Sequence, residues 1–468
     1  MRLPDLIEIV PLEKPVQAEI TVPGSKSITN RALALAALAR GATRLRGALW
    51  SEDTQVMANG LETLGFAVRV EPDPDEVCNR TILVDGLGGR IPKGGTVDRP
   101  LELFVGNAGT AARFLAAMVC LGAGFYRLDG VKRMRERPQK SLFDALRELG
   151  YRIDSSNDKL PATIQGDGPK RGAACCVSIS ESSQFASALM LCARAGGWQV
   201  NVVGENAEES PYVAMTSELI KTFPENGGEF QIEPDASSGS YFWGAAWLLA
   251  RVESANAAKA ALKSLGRGLR RGETLAIPPF EQSRLRVRHW PNSGWQIDAD
   301  FVRLISSPER ETSQGRTFLS FPSEISRKHD LADSIMTLIP LASLDSHVIQ
   351  FTDLDRLRVQ ECERVIALRT ELTRAGGKVV EEGDTLAVHP SKLQGAAIET
   401  YNDHRIAMCF AILGLKVPGI KIKNPACVKK TFPNFFQKLA APPPHGLGAT
   451  ILDAGSGRRL GVEELFAG

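Results

Sequence analysis

GSKSITNRALALAALARG, residues 24–41, decides how the chain reads. A polar Gly/Ser turn carrying Lys26 and Arg31 runs straight into Ala and Leu on every face of a helix. A helix that is apolar all round belongs inside a protein, not on its surface. The same construction returns in GNAGTAARFLAAMVCLGAG (106–124), SSQFASALMLCARAGG (182–197), SSGSYFWGAAWLLARV (237–252), ADSIMTLIPLASL (332–344) and NDHRIAMCFAILGL (402–415). Amphipathic helices that close on glycine lie between these copies: DTQVMANGLETLGFAV (53–68), SLFDALRELGYRI (141–153) and CERVIALRTELTRAGGKV (362–379). A glycine after the last apolar residue suits a helix C-cap. Short alternating strands follow, as in KVVEEGDTLAVHP (378–390).

Six copies of strand, buried helix, strand and amphipathic helix predict an α/β fold of two domains with three repeats each. Each apolar helix needs a shell of sheet and helix around it. The 468 residues are too many for one core. The fourth copy is the weakest, because the stretch from Lys263 to Lys328 is rich in Arg, Trp, Ser and Pro without a clear amphipathic helix. The tail from Ala441, APPPHGLGATILDAGSGRRLG, reads as an exposed or loosely docked end.

Hydrophobic residues at 43% and charged residues at 24% exclude a disordered chain. A net charge of +2 gives no global attraction to nucleic acid or an acidic membrane. The eight cysteines contain no CxxC pair, which argues against zinc, and their scatter suits reduced thiols of a cytosolic protein. The first twenty residues lack the apolar core of a signal peptide, and no apolar run approaches the roughly 20 residues of a membrane span. The expectation is a cytoplasmic monomer with no metal, nucleic-acid or membrane partner.

The polar residues gather at helix starts, where free N–H groups and the helix dipole attract anions. Lys26, Ser27 and Arg31 open one helix, Gly109 and Arg113 another, and Ser182, Ser183 and Gln184 a third. Taken singly, such a start is structurally routine; several with Lys or Arg attached point to an anionic ligand. Lys132-Arg133-Met134-Arg135-Glu136-Arg137-Pro138 places four cations in a stretch expected to be a loop, where a solvated charge run is the usual case. Asp403-His404-Arg405 opens an apolar helix, where an unpaired charge is costly. His404 alone reads equally well as a core histidine. Lys429-Lys430 reads as half surface charge and half site.

PGSKSITNRAL, GNAGTAAR, RMRERP, SSQF, DASSGSY, ETYNDHRIAM and KKTFPNFF, in this order and spacing from Pro23 to Phe436, resemble the motifs of the EPSP synthase family of enolpyruvyl transferases. The resemblance implies two domains of three βαβαββ-type units, one from residues 1–24 plus 236–468 and the other from 25–235. It implies transfer of the carboxyvinyl group of phosphoenolpyruvate to the 5-hydroxyl of shikimate 3-phosphate, without a metal or organic cofactor. By motif position, phosphoenolpyruvate falls to Lys26, Gly109, Arg137, Gln184, Arg364, Arg405 and Lys430. The acceptor falls to Ser27, Arg31, Ser182, Ser183, Gln184, Tyr212, Asp333, Arg356 and Gln360. Catalytic roles fall to Asp333, Glu361, Lys26 and His404, with Glu361 as proton donor to the alkene and Asp333 as base.

Three positions depart from the family pattern. Arg356 stands for an asparagine, Gln360 for a lysine that touches the acceptor phosphate, and Glu209 for a serine on that phosphate; Ser210 lies one residue away. Neutral glutamine cannot neutralise a phosphate, and glutamate repels one. The expected acceptor is therefore shikimate 3-phosphate or, preferred here, a carboxylated relative without the phosphate. Tolerated drift, with Arg356 supplying the missing charge, is the bland alternative. Other readings are a member repurposed for another addition–elimination or dehydration, and a catalytically dead binding paralogue; retention of Asp333, Glu361 and the five cations weighs against the last.

Overall fold

The structure, a computed structural model, describes residues 3–14, 16–204, 210–265, 284–306, 311–313, 316–318 and 320–467. The chain divides into two compact units. The first comprises Pro23–Asp235 and Asn292–Gln296; the second comprises Met1–Val22, Ala236–Pro291 and Ile297–Gly468.

In the first unit the helices are α1 (Lys26–Leu38), α2 (Glu52–Thr63), α3 (Gly109–Val119), α4 (Lys132–Glu136), α5 (Lys140–Glu148), α6 (Ser183–Gly196) and α7 (Pro211–Thr222). In the second they are α8 (Ala236–Leu265), α9 (Phe301–Ser306), α10 (Ile335–Ala342), α11 (Arg364–Arg374), α12 (His404–Gly414) and α13 (Phe435–Ala440). Every residue of α3, α10 and α12 is buried, as the apolar pattern requires. Where α5 stops, Gly150 takes φ +92°, a value that any side chain would strain.

The sheets repeat one rule. Strand Leu101–Phe104 lies parallel to Ala123–Asp129, with α3 as the crossover. Ala123–Asp129 then pairs antiparallel with Ala162–Asp167, and that strand pairs antiparallel with Arg152–Asp154. The order parallel, antiparallel, antiparallel recurs in the sheet built on Ala42–Leu49 and in the sheet built on Ile349–Thr352. The antiparallel hairpin Glu311–Ser313 with Arg316–Phe318 and the parallel pairs Ala174–Ser178 with Gln199–Val203 and Ala18–Ile20 with Leu285–Val287 are two-stranded. The divergent fourth copy belongs to this last pair, and its stretches 266–283, 307–310, 314–315 and 319 lie outside the described residues.

The remaining sheet corrects the reading of the tail. Ala397–Ile398 lies parallel to Ile420–Lys423, which pairs with Leu6–Ile9, which pairs in turn with tail strand Ile451–Asp453. Leu447, Ala449, Ile451, Leu460 and Leu465 are buried in the second unit's core. Leu447, Ala449 and Ile451 follow the two-residue period of a strand, a signal masked by exposed Pro442–Pro444 and by the Gly/Ser/Arg composition. The charge run 132–136 is likewise helix rather than loop.

The second unit's core is aromatic at its centre, with Trp247 stacked on Phe321 at 4.2 Å and Phe432 edge-on to Phe435 at 5.6 Å. Since the tail closes that core, Ile451→Ala is expected to cost about 2–5 kcal/mol. Denaturant unfolding followed by circular dichroism measures it; a cost near zero would mean the tail is dispensable.

Candidate active site

In the first unit, Arg31 is the central group. Its side chain is 1% exposed, and its partners are neutral. Nε donates to Thr216 Oγ1 on α7 at 2.7 Å, and Nη2 donates to Ser187 Oγ on α6 at 3.0 Å. Nη1 donates to the Ser27 carbonyl at 2.9 Å, and Nη2 reaches the Tyr212 carbonyl at 3.5 Å. The guanidinium lies 5.5 Å from the Phe114 ring centre and 5.9 Å from that of Tyr212. Burial lowers the Arg31 pKa to about 10, against a smaller opposing effect of Tyr212. A buried cation whose bonds all go to neutral groups favours an anionic ligand.

Lys26 opens α1, and its ammonium lies 3.2 Å from the Asp53 carboxylate. Its backbone N–H donates to Asp235 Oδ2 at 3.2 Å. The start of α3 has no side-chain cap, which leaves its first N–H groups for another acceptor. Arg137 Nη1 donates to the Asn107 carbonyl at 3.2 Å, and Arg113 Nη2 donates to the Pro138 carbonyl at 2.7 Å. A Cβ on Gly109 would fall 2.6 Å from Arg137 Nη2 and 3.0 Å from Arg113 Nη1, so glycine is what allows both guanidiniums to crowd this helix start. Of the cation run, Arg137 is buried, whereas Arg133 pairs with Glu136 and Arg135 with Asp129 near the surface. Ser182 caps α6 by accepting the Gln184 N–H at 3.2 Å, Ser183 is 5% exposed, and Gln184 Oε1 is buried without a partner among the described residues.

The second unit gathers charges of both signs. Asp333 precedes α10 and lies 3.1 Å from Arg327, 3.2 Å from Arg405 and 3.9 Å from Arg364. Glu361 lies 2.8 Å from Arg364 and 3.3 Å from Lys430. Arg364 is 1% exposed and grips Asp403 with Nε at 2.7 Å and Nη2 at 3.3 Å. Asp403 also caps α12 by accepting the Arg405 N–H at 2.9 Å. Gln360 accepts from Arg364 Nη1, and its amide nitrogen reaches Asp333 Oδ1 at 3.5 Å. His404 is buried, its Nδ1 3.7 Å from Asp403. Arg356 sits half-buried on the short helix Asp355–Val359. Lys429 is exposed and Lys430 buried, dividing that pair between surface and site.

Burial works against the Asp333 anion, but Arg405, Arg327 and Arg364 together outweigh it and hold the carboxyl well below its usual range. Burial also works against the Arg364 cation, and Asp403, Glu361 and Asp333 overcome it and raise the guanidinium further. Behind Asp333 lies Asp298, whose Oδ1 accepts the Ala332 and Ser334 N–H groups at 2.8 and 3.1 Å and the Ser334 hydroxyl at 2.6 Å. Its other oxygen accepts from Ser237 at the start of α8. Burial and the Asp333 charge raise the Asp298 pKa.

The structure thus joins Asp333, Gln360, Glu361, Arg364, Arg405 and Lys430 in one network, and Ser27, Arg31, Ser187, Tyr212 and Thr216 in another. Sequence reasoning missed Asp53, Arg327 and Asp298, and it assigned no task to Asp403. Asp53 looks like an ordinary first-turn acid, and the other two of the missed residues fall in or beside the divergent copy. Glu209 lies outside the described residues. Ser210 precedes α7 with its hydroxyl buried and without a partner among the described residues.

The lowered Asp333 pKa fixes a sign. Its stabilisation is fully present above the unfolded value of about 3.9 and is lost as pH falls through the folded value. Asp333→Asn should cost about 3–5 kcal/mol near neutrality, by leaving three arginines without their shared anion. The gap from the native protein should narrow below about pH 4. Denaturant midpoints across pH check this; a gap that does not narrow on acidification would exclude the carboxylate as its source.

The chain is similar to known proteins over most of its length. The family model for EPSP synthase (3-phosphoshikimate 1-carboxyvinyltransferase) matches residues 10–267 and 309–439. The 3-phosphoshikimate 1-carboxyvinyltransferase of Nostoc punctiforme is 35% identical over 455 residues, spanning 93% of this chain and 98% of the relative. That of Pseudomonas syringae pv. tomato is 34% identical over 467 residues, spanning 94% and 98%. Among solved structures, EPSP synthase from Acinetobacter baumannii superposes with TM-score 0.64 at 20% identity, covering 95% of this chain and 99% of that one. The enolpyruvyl transferase NikO from Streptomyces tendae gives 0.62 at 16% identity, covering 98% and 99%. The two structures share the fold, and the family model and the curated relatives set the family: this chain belongs to the EPSP synthases, the 3-phosphoshikimate 1-carboxyvinyltransferase family.

Proposed function

We propose that the chain moves the carboxyvinyl group of phosphoenolpyruvate to a hydroxyl of a carboxylated acceptor that lacks the phosphate of shikimate 3-phosphate. Glu361 delivers a proton to the methylene carbon of the alkene, leaving a cationic carbon. The acceptor hydroxyl adds there as Asp333 takes its proton. The tetrahedral adduct then loses phosphate and a methyl proton, which restores the double bond. Lys26, Gly109, Arg137, Gln184, Arg364, Arg405 and Lys430 hold the donor, and Arg31 with Ser27 and Tyr212 holds the acceptor carboxylate. His404, buried beside Asp403, keeps the start of α12 in place. A donor phosphate that draws Lys430 away leaves the Glu361 carboxylate with one neighbouring cation fewer, which favours its protonated form.

One observation carries the choice of acceptor. Gln360 spends its amide between Arg364 and Asp333, neutral where the family supplies a lysine. A second reading, shikimate 3-phosphate itself, draws support from Ser182 and Ser183 and from the Ser210 hydroxyl, which has no partner among the described residues and stands one residue from the altered position 209.

Two experiments test this. Glu361→Gln should keep donor binding while losing about 10²–10⁴-fold in rate, the usual scale of a positioned proton donor; a near-normal rate would remove Glu361 from the chemistry. Phosphate release with phosphoenolpyruvate plus shikimate 3-phosphate should be slow in the unmodified protein. Gln360→Lys should raise it about tenfold or more, the scale of one charge-assisted contact. A kcat/KM for shikimate 3-phosphate already within the ordinary enzyme range of about 10⁴–10⁸ M⁻¹s⁻¹ would establish the second reading instead.

A further inference from the structure

The helices that start at the polar groups of the first unit finish together at a different opening. The far ends of α1, α6 and α7 border a cavity of about 310 Å³. It lies one helix length from the Lys26 end of α1, roughly 20 Å at 1.5 Å per residue. Its size falls within the range of about 300–1,000 Å³ usual for small-molecule sites. The floor is apolar: Leu35, Met190 and Ile220 are half-buried and Phe223 is 8% exposed. Leu35, Met190 and Ile220 pack with one side against the unit's core and leave the other side open.

Three arginines and one glutamate stand on the rim, a surplus of two positive charges. Arg40 and Arg194 share the Glu225 carboxylate at 3.8 and 2.5 Å. Arg40 follows the end of α1 and Arg194 lies in the last turn of α6, so both also answer the partial negative charge of those helix ends. Arg171 stands beside the same α6 end, exposed at the surface. It comes from the loop before strand Ala174–Ser178, its stem lies against Gly197, and it has no acidic partner among the described residues. An apolar floor beside a surplus guanidinium is complementary to a molecule with an apolar body and one negative end.

We propose that this cavity is a second ligand site for an amphipathic monoanion, with its apolar body on Leu35, Met190, Ile220 and Phe223 and its carboxylate on Arg171. The occupant is distinct from the proposed donor and acceptor in having a hydrocarbon body to lay on this floor.

The test uses 3-phenylpropionate as probe and 3-phenylpropionamide as its uncharged twin, titrated calorimetrically into the full chain. The acid should bind saturably and about tenfold or more tightly than the amide. Arg171→Glu should weaken the acid by about the same factor, and Glu225→Gln, which removes the rim's one carboxylate, should tighten it. The two substitutions act in opposite directions, so a general loss of structure cannot imitate the pattern. No saturable binding of the acid, equal binding of acid and amide, or binding indifferent to both substitutions would each overturn the proposal.

Discussion

The grip of Arg364 on Asp403 is the constraint from which the second unit's site follows. A guanidinium 1% exposed, at the first residue of α11, holds a fully buried carboxylate at the first turn of α12. Neither charge is tolerable there alone, since a lone buried ion costs several kcal/mol even after relaxation. The pair therefore fixes two helices at their starts, and the spare donors of Arg364 then fix Glu361, Gln360 and Asp333. Arg405, two residues past the cap, completes the set from the same helix. The polar groups are thus tied to the most apolar helices of the chain, and the stiffness of the core passes directly to them.

The first unit solves the same problem without a carboxylate at its centre. Arg31 is held by hydroxyls and carbonyls from α1, α6 and α7, groups that orient a guanidinium without neutralising it. Two kinds of cation cluster result from one repeated crossover. One is paired with internal carboxylates; the other is held by neutral groups. The repeat supplies helix starts in quantity, and the identity of the residue in each first turn decides what each start does.

Much of this was legible in the sequence because buried helices betray themselves. All-apolar faces after Gly/Ser turns mark α3, α10 and α12, and alternation marks the Lys378–Glu382 and Thr385–His389 hairpin. The family motifs pick out Lys26, Arg31, Arg364, Arg405 and Lys430. What they do not name is each cation's partner within the protein. Asp53 beside Lys26, Arg327 beside Asp333, and Asp298 behind Asp333 are set by long-range packing and carry no local signature. The tail was misread for the opposite reason. Its local composition was loud, with three prolines and a Gly/Ser/Arg run, while the apolar alternation of Leu447, Ala449 and Ile451 was short. Which arginine of the 132–137 run turns inward depends on the single residue that the α4 turn aims at α3, and charge counting cannot supply that.

The strand Leu6–Ile9 sits between Ile420–Lys423 and Ile451–Asp453, more than four hundred residues away in sequence from either neighbour. A ribosome making this chain releases that strand long before its partners. At synthesis rates of about 5–20 residues per second, the strand waits tens of seconds for them. Meanwhile the Pro23–Asp235 stretch can form almost all of its unit, lacking only Asn292–Gln296. Folding is therefore ordered by topology, with the more continuous unit first and the discontinuous one closed late by its highest-order contacts. Ile7 and Ile9, fully buried in the folded protein, are exposed apolar side chains for that whole interval, which makes this strand a natural place for a chaperone to act.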